Sequence, residues 1–149
     1  MTRTGAAYVC GQFLLFVGYV AVPEWERDPF PQWLRIGGAL LIPYGIILAG
    51  WSIWHLRRAL SALPAPRAHA QLVTTGPFRY LRHPIYSGLL LGAMGYALWS
   101  SQVPRLVLTG VLGLLFWYKS RYEEILLRAR FPAYAAYQKR TGRLWPRWR

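Results

Sequence analysis

Cysteine is almost absent from this sequence. Of its 149 residues, only Cys10 carries a thiol. A single cysteine excludes an intrachain disulfide and a cysteine-rich metal site, and we predict no metal ligands. It does not indicate the redox state of the compartment in which the protein resides.

Charge is also scarce, and negative charge most of all. Charged residues make up 15% of the chain, whereas soluble domains average roughly 25%. There are 5 Asp and Glu against 18 Lys and Arg, which gives a net charge of +13. In a soluble protein this excess would suggest a nucleic-acid partner. Here the basic residues avoid the apolar runs and collect in residues 57–82 and 119–149. That distribution is typical of the loops of a membrane protein, so we expect no nucleic-acid partner.

Long uncharged runs predict four transmembrane helices. The first three runs each hold about 20 residues, which is enough to cross a hydrocarbon core of roughly 30 Å. The fourth run is shorter, and we expect Arg105 and Lys119 at its ends to extend their side chains out of the bilayer. No linker-like stretch divides the chain, so one domain over residues 1–149 is expected. The predicted spans are 5–22, 36–56, 84–101 and 104–118.

The predicted fold is therefore an all-α membrane bundle whose last two spans form a helical hairpin. Beyond residue 118 the helical pattern continues to about Arg130 and stops before Pro132, which gives a helical C-terminal tail. The loop between the first two spans holds three of the five acids, whereas residues 57–82 hold five arginines and no acid. Basic loops stay in the cytoplasm, so both termini are predicted there, in a multi-pass protein of the cell (inner) membrane.

Two acids, Glu123 and Glu124, lie on the predicted cytoplasmic side. One interpretation is structural: Lys119 with Glu123, and Glu124 with Arg128, are spaced i,i+4 and would pair on a solvated helix face. In that case the carboxylates would have no part in chemistry.

His83 lies where the basic loop meets the third span. A lone histidine there is often only a polar anchor at a helix end. However, Arg82, His83 and Tyr86 cluster within a few residues, and polar groups at membrane depth frequently serve function. This cluster is the candidate site.

Two ordered motifs carry a resemblance to a known family. Residues 75–88 read TGPFRYLRHPIYSG, and one hydrophobic hairpin later Arg121-Tyr122-Glu123-Glu124 is followed by Phe131, Tyr134 and Tyr137. This part, roughly residues 72–146, resembles the isoprenylcysteine carboxyl methyltransferases and their phospholipid methyltransferase relatives. These are membrane enzymes that use S-adenosylmethionine. The chain departs from the family pattern at Phe131-Pro132, where Phe-Gly is common, and at Lys119, where arginine is common.

The resemblance implies functional residues at matching positions. Lys119 and Arg121 are the candidates for positioning the substrate. The cofactor S-adenosylmethionine would be bound by residues of the first motif and by the paired acids: Leu72, Val73, Phe78, Arg82, His83, Pro84, Ile85, Tyr86, Glu123 and Glu124.

The implied activity is methyl transfer to a hydrophobic or membrane-partitioned acceptor, through its carboxylate, amine, hydroxyl or thiol. The lipid bilayer is the expected partner, and no obligate protein partner is evident. Two alternatives stay open: an NADPH-dependent reductase similar to the sterol reductases, and a non-enzymatic membrane scaffold. The glycine-rich face of Gly88, Gly92 and Gly95 would pack within one chain or between chains, with the former favoured.

Overall fold

The computed structural model describes residues 3–24, 30–56 and 72–147. In these ranges the chain forms five α-helices, one 3-10 helix and no named strand, which confirms the all-helical prediction. Most of the predicted extended loop between the second and third spans lies outside the described residues. The helices are α1 (Arg3–Ala21), α2 (Gln32–Leu56), the 3-10 helix (Gly76–Arg79), α3 (Pro84–Trp99), α4 (Val103–Arg130) and α5 (Tyr134–Arg140).

Helices α1 and α2 have the length and apolarity of membrane spans. They contain 19 and 25 residues. Only 11% and 17% of the most apolar 18-residue stretch of each helix is buried inside the protein. Large apolar side chains such as Phe13, Trp33 and Leu40 point outward instead. A soluble protein rarely exposes so much contiguous apolar surface, so these faces are suited to lipid.

Helices α3 and α4 form the predicted hairpin. Residues 100–102 join them in a tight turn, in which Ser101 adopts a left-handed conformation with φ of 53°. α3 has 16 residues and is about 24 Å long, whereas α4 has 28 residues and is about 42 Å long. As predicted, α4 extends well past residue 118 and ends at Arg130. That α3 and α4 both cross the bilayer stays a prediction.

Glycines allow α2 and α3 to pack closely. A Cβ added to Gly45 would lie 2.6 Å from the Gly88 carbonyl oxygen, and one added to Gly95 would lie 2.7 Å from the Gly38 carbonyl oxygen. Any larger residue would force the two backbones apart. The α3 glycines at 88 and 95 therefore pack within one chain.

The four long helices are arranged in the order α2, α3, α4, α1. Their packing corrects the prediction for Arg105, whose side chain does not extend outward. Arg105 is 3% exposed, and its Nη2 donates to the carbonyl oxygen of Val22 at 3.1 Å. The guanidinium carbon lies 4.9 Å from the centre of the Tyr96 ring. Lys119 is likewise 3% exposed, so the prediction of an outward side chain is wrong there too.

One end of this bundle collects the start of α1, the end of α2, the start of α3 and the second half of α4. The rings of Tyr8 and Tyr122 lie 5.9 Å apart, which joins α1 to α4 at this end. Gly76 lies against the His55 ring and has φ of +59°, so a side chain there would be strained and would clash. The predicted functional residues all belong to this end.

The C-terminal tail is helical only in part. After α5, residues 141–147 run as irregular chain alongside residues 80–83. Leu81 and Gly142 form an isolated parallel bridge, and the amide of Arg82 donates to the Gly142 carbonyl at 2.8 Å. The Ser87 hydroxyl also donates to the carbonyl of Leu144 at 2.6 Å. The tail is thereby held against the start of α3.

Candidate functional site

The centre of the site is an aromatic stack between α3 and α4. Pro84 occupies the first turn of α3, where its missing N–H costs nothing, and His83 and Tyr86 follow one another around that turn. Their rings are stacked, with centres 5.5 Å apart and planes 3° apart. The Tyr86 ring in turn stacks on Phe116 of α4 at 4.5 Å. The stack gives the site a rigid apolar wall.

Glu123 of α4 contacts two residues of this stack. One carboxylate oxygen accepts a hydrogen bond from the Tyr86 hydroxyl at 2.7 Å. The other oxygen lies 3.3 Å from Nδ1 of His83. The Glu123 side chain is 13% exposed and that of His83 is 7% exposed. The structure therefore brings His83, Tyr86 and Glu123 together, and their role in binding a cofactor stays a prediction.

His83 keeps one unused polar atom. Its Nε2 is buried without a hydrogen-bond partner, although Oε1 of Glu124 lies 3.5 Å away, at the outer limit of an ion pair. Burial alone would lower the pKa of His83, but the close contacts with Glu123 and Glu124 and the charges of these two carboxylates outweigh it and raise that pKa above its ordinary value. A positive charge on His83 is thus stabilised by two carboxylates.

Glu124 has a different role from its neighbour. Its oxygens accept from Nε of Arg82 at 2.8 Å, from Arg143 at 3.1 and 2.9 Å and from Gln138 at 2.7 Å. Although burial opposes ionisation, the close contact with His83 and the hydrogen bonds from Arg143 and Arg82 hold the pKa of Glu124 far below its ordinary value. Because its acceptor capacity is already used, we infer that Glu124 fixes the tail and does not itself bind a cofactor.

The alternative of solvated i,i+4 charge pairs is wrong for Glu124. This residue is 2% exposed, and its hydrogen-bond partners come from the segment after the 3-10 helix, from α5 and from the tail. Arg128, the expected partner, donates instead to Oε1 of Gln138 at 2.8 Å. The buried network of Glu124, Arg82, Arg143 and Gln138, referred to below as the tail latch, joins α4 to both flanking segments.

The two candidates for substrate positioning lie in different environments. Nζ of Lys119 donates to Oε1 of Gln12 at 2.7 Å and lies 5.1 Å from the centre of the Tyr86 ring. Burial lowers the pKa of Lys119, and the charge of Glu123 partly opposes this effect. Arg121, in contrast, is exposed on α4. The structure thus brings Lys119, but not Arg121, to the aromatic stack.

The remaining predicted residues differ in burial. Phe78 is buried, and its carbonyl accepts from the Tyr137 hydroxyl at 2.6 Å. Burial raises the pKa of Tyr137 to about 12, so this hydroxyl stays a donor at neutral pH. Pro84 is fully buried, whereas Leu72, Val73 and Ile85 are half-buried.

Sequence reasoning missed several contributors. Arg143 was one of nine basic residues after residue 118, and nothing in the sequence separated it from the others. Gln12, however, is a lone amide in an apolar span, and that anomaly could have marked it as a partner for a buried charge. Phe116 could not be distinguished in the sequence from the other apolar residues of α4.

Comparison with known proteins places this geometry in a family. The profile of the phospholipid methyltransferase family matches residues 33–133, which is more than half of the chain. This chain belongs to the phospholipid methyltransferase family. The resemblance drawn from the two motifs is therefore confirmed, since this family lies within the same group of membrane methyltransferases as the isoprenylcysteine enzymes.

Two curated relatives carry names from metal resistance. The cobalt-zinc-cadmium resistance protein CzcN of Cupriavidus metallidurans is 38% identical over 85 residues. The nickel-cobalt-cadmium resistance protein NccN of Alcaligenes xylosoxydans xylosoxydans is 34% identical over 82 residues. Each alignment covers 54% of this chain and 38% of the relative. Within residues 3–24, 30–56 and 72–147, no group of three or more His, Cys, Asp or Glu residues could hold a metal ion.

Proposed function

We propose that this protein transfers a methyl group from S-adenosylmethionine to a hydrophobic or membrane-partitioned acceptor. The observation that carries the proposal is the Glu123–His83–Tyr86 cluster, which brings both family motifs to one partly enclosed place. Family membership supports methyltransferase activity in general. The cofactor and the acceptor class belong to the proposal.

The residues of the cluster fit the cofactor chemically. S-adenosylmethionine, when bound, supplies a methyl group on a positively charged sulfur. Glu123 is a carboxylate with limited exposure, and aromatic faces such as that of Tyr86 attract cations and stack on an adenine ring. The unpartnered Nε2 of His83 offers a hydrogen-bonding group in the same place. Leu72, Val73 and Ile85 would contribute the apolar wall that excludes water.

Lys119 is the residue we assign to the acceptor. Its ammonium group is held between Gln12 and the Tyr86 ring, next to the same stack. An acceptor carboxylate would be attracted to this charge and needs no base to react. An amine acceptor would have to lose a proton, and Glu123 or His83 is then the nearest group able to accept it.

The location of the cluster suits substrates that arrive from two phases. We infer that all four long helices cross a cell membrane and that both chain ends lie in the cytoplasm, because five arginines precede α3 and nine basic residues follow residue 118. The polar cofactor would enter from the cytoplasm. A lipid-like acceptor would reach Lys119 between the helices.

Binding of S-adenosylhomocysteine to the detergent-purified protein tests this proposal. Calorimetry should detect binding to the wild type and a loss of at least about tenfold in affinity for His83→Ala, since the imidazole is part of the site. NADPH should not compete. Binding of NADPH in place of S-adenosylhomocysteine would assign the protein to the reductases, and binding of neither would favour a scaffold.

A further inference from the structure

A polar cavity lies on the outer side of the tail latch. It has a volume of about 330 Å³ and is lined by Arg82, Arg143 and Arg147, together with Gln138 and the tail backbone. The cavity exists because residues 141–147 fold back along residues 80–83. None of its lining residues belongs to the aromatic stack, and Glu124, which pairs with Arg82 and Arg143 of the lining, lies 3.5 Å from His83 of the stack.

The wall of this cavity has an uncompensated positive charge. Three guanidinium groups line it, whereas Glu124 is the one carboxylate that pairs with them in the part of the chain that the structure describes. Arginine stays protonated at every physiological pH. An anion entering the cavity would therefore meet two more positive charges than negative ones.

The arginines also retain hydrogen-bond donors. Arg82 uses Nε and Nη1, Arg143 uses Nε and Nη2, and Arg147 uses only Nη1, which donates to the Lys139 carbonyl at 3.1 Å. Each guanidinium carries five N–H donors in a planar fork. A phosphate group offers several charged oxygens to such forks and is the oxyanion that they bind best.

The rim of the cavity places it near a membrane surface. Trp145 lines the cavity and is 61% exposed, and tryptophan is enriched where a protein meets lipid headgroups. The tail follows the cytoplasmic end of α4 in the proposed topology. Anionic headgroups at that surface attract basic segments of a protein.

We propose that Arg82, Arg143 and Arg147 form a phosphate-binding site, which takes the headgroup of an anionic lipid or a free phosphate group. The site shares only Arg82 with the residues that the family resemblance assigns to the cofactor, whereas Arg143 and Arg147 have no part in the methyl-transfer proposal. Bound phosphate would add contacts between Arg147 and the tail latch. The tail would then be held more firmly when the surrounding membrane is anionic.

The affinities of short-chain phosphatidylglycerol and of inorganic phosphate for the full chain in detergent test the site. Arg147→Gln is the informative variant, since within the described residues Arg147 hydrogen-bonds to the Lys139 carbonyl and not to the tail latch. Arg3→Gln removes an equal charge from an exposed position at the same end of the bundle. We expect Arg147→Gln to weaken binding about tenfold and Arg3→Gln to leave it unchanged. Arg147→Lys should lie between them, because it keeps the charge and loses the fork.

The pattern of binding identifies the source of the phosphate. If both probes bind in an Arg147-dependent way, the cavity is a general phosphate site. If only the lipid does so, the site takes lipid headgroups. If only inorganic phosphate does so, the site takes soluble ligands. Equal affinities for Arg147→Gln and Arg3→Gln would overturn the proposal. Displacement of phosphate by S-adenosylhomocysteine would also overturn it, since the cavity would then belong to the cofactor site. If S-adenosylhomocysteine does not bind at all, the methyl-transfer proposal fails, and the phosphate-binding results still decide this one.

Discussion

His83 and Glu123 face each other across the junction of α3 and α4, with Nδ1 of the imidazole 3.3 Å from Oε2 of the carboxylate. The other carboxylate oxygen is hydrogen-bonded to the Tyr86 hydroxyl. Residues 40 positions apart in the chain thus share one charge-stabilised unit, and Glu124 of α4 lies 3.5 Å from the other imidazole nitrogen. The consequences for ligand binding follow from that arrangement.

Replacing Glu123 with Gln should weaken S-adenosylhomocysteine binding by at least about tenfold, because hydrogen bonds to a charged group contribute about 1.5–3 kcal/mol. Calorimetry on the purified variant measures the change. Glu24→Gln is the matched control, since Glu24 is exposed and follows the far end of α1. Equal affinities in the two variants would remove Glu123 from the site.

Replacing Glu124 with Gln should mainly affect stability. The change leaves Arg82 and Arg143 without their shared carboxylate, and breaking a buried ion pair costs about 3–5 kcal/mol. We expect a lower thermal midpoint in detergent and faster tryptic cleavage between residues 139 and 147. A variant with native stability and a native cleavage rate would show that the tail is held by its backbone contacts alone.

The stability of the fold should depend on pH in two directions. The pKa of Glu124 is held below its ordinary value of 4.5, so its contribution is present above about pH 4.5 and is lost as pH falls through the folded-state pKa. The pKa of His83 is raised above 6.5, so its contribution is present below about pH 6.5 and is lost as pH rises through the folded-state pKa.

Thermal unfolding across this range distinguishes the two groups. Glu124→Gln should flatten the acid side of the stability profile, and His83→Gln should flatten the alkaline side. If each variant kept the wild-type profile, only shifted to lower stability, then neither group would be the one that titrates.

Lys119 and Arg121 can be separated by a pair of equivalent substitutions. Lys119→Gln should raise the KM for a carboxylate acceptor about tenfold or more, since the buried ammonium lies at the stack. Arg121→Gln, at an exposed position, should change KM less than about twofold. Steady-state methyl transfer to a series of acceptors provides the measurement. The opposite ranking would return the substrate role to Arg121.

Arg105 offers a test of a buried charge outside the site. Two of its guanidinium nitrogens, Nε and Nη1, are buried without hydrogen-bond partners, so the desolvation of the group is only partly compensated. We expect Arg105→Met to change the unfolding free energy by less than about 1 kcal/mol or to stabilise the protein, because apolar residues of similar volume often replace buried charges without loss. Arg105→Ala, which leaves a cavity, should destabilise it by about 2 kcal/mol or more. A large loss in Arg105→Met would show that the bond to Val22 outweighs desolvation.

The candidate site was predictable only where the sequence was unusual. His83 beside Pro84, and two acids among many basic residues, stood out against the composition of the chain. Arg143 did not, because it is one of nine basic residues after residue 118, and Gln138, although it is the only amide in residues 119–149, lies in neither family motif. The expectation of outward side chains for Arg105 and Lys119 failed for a related reason. Lys119 donates to the side-chain oxygen of Gln12 on α1, and Arg105 donates to the carbonyl of Val22, directly after α1. The sequence does not show that α1 lies next to α4.

The sequence by itself determined the helices, their apolar surfaces and the family motifs, since these depend on local composition and on spacing along the chain. α4 ends at Arg130 as predicted, because the polar stop before Pro132 is a local signal. Tertiary structure decided which partners each of the two adjacent acids contacts. Glu123 and Glu124 are adjacent and chemically identical, yet the helix turns one toward Tyr86 and the other toward Arg82 and Arg143. That division depends on partners brought together from 19 to 42 residues away, and only the folded chain contains them.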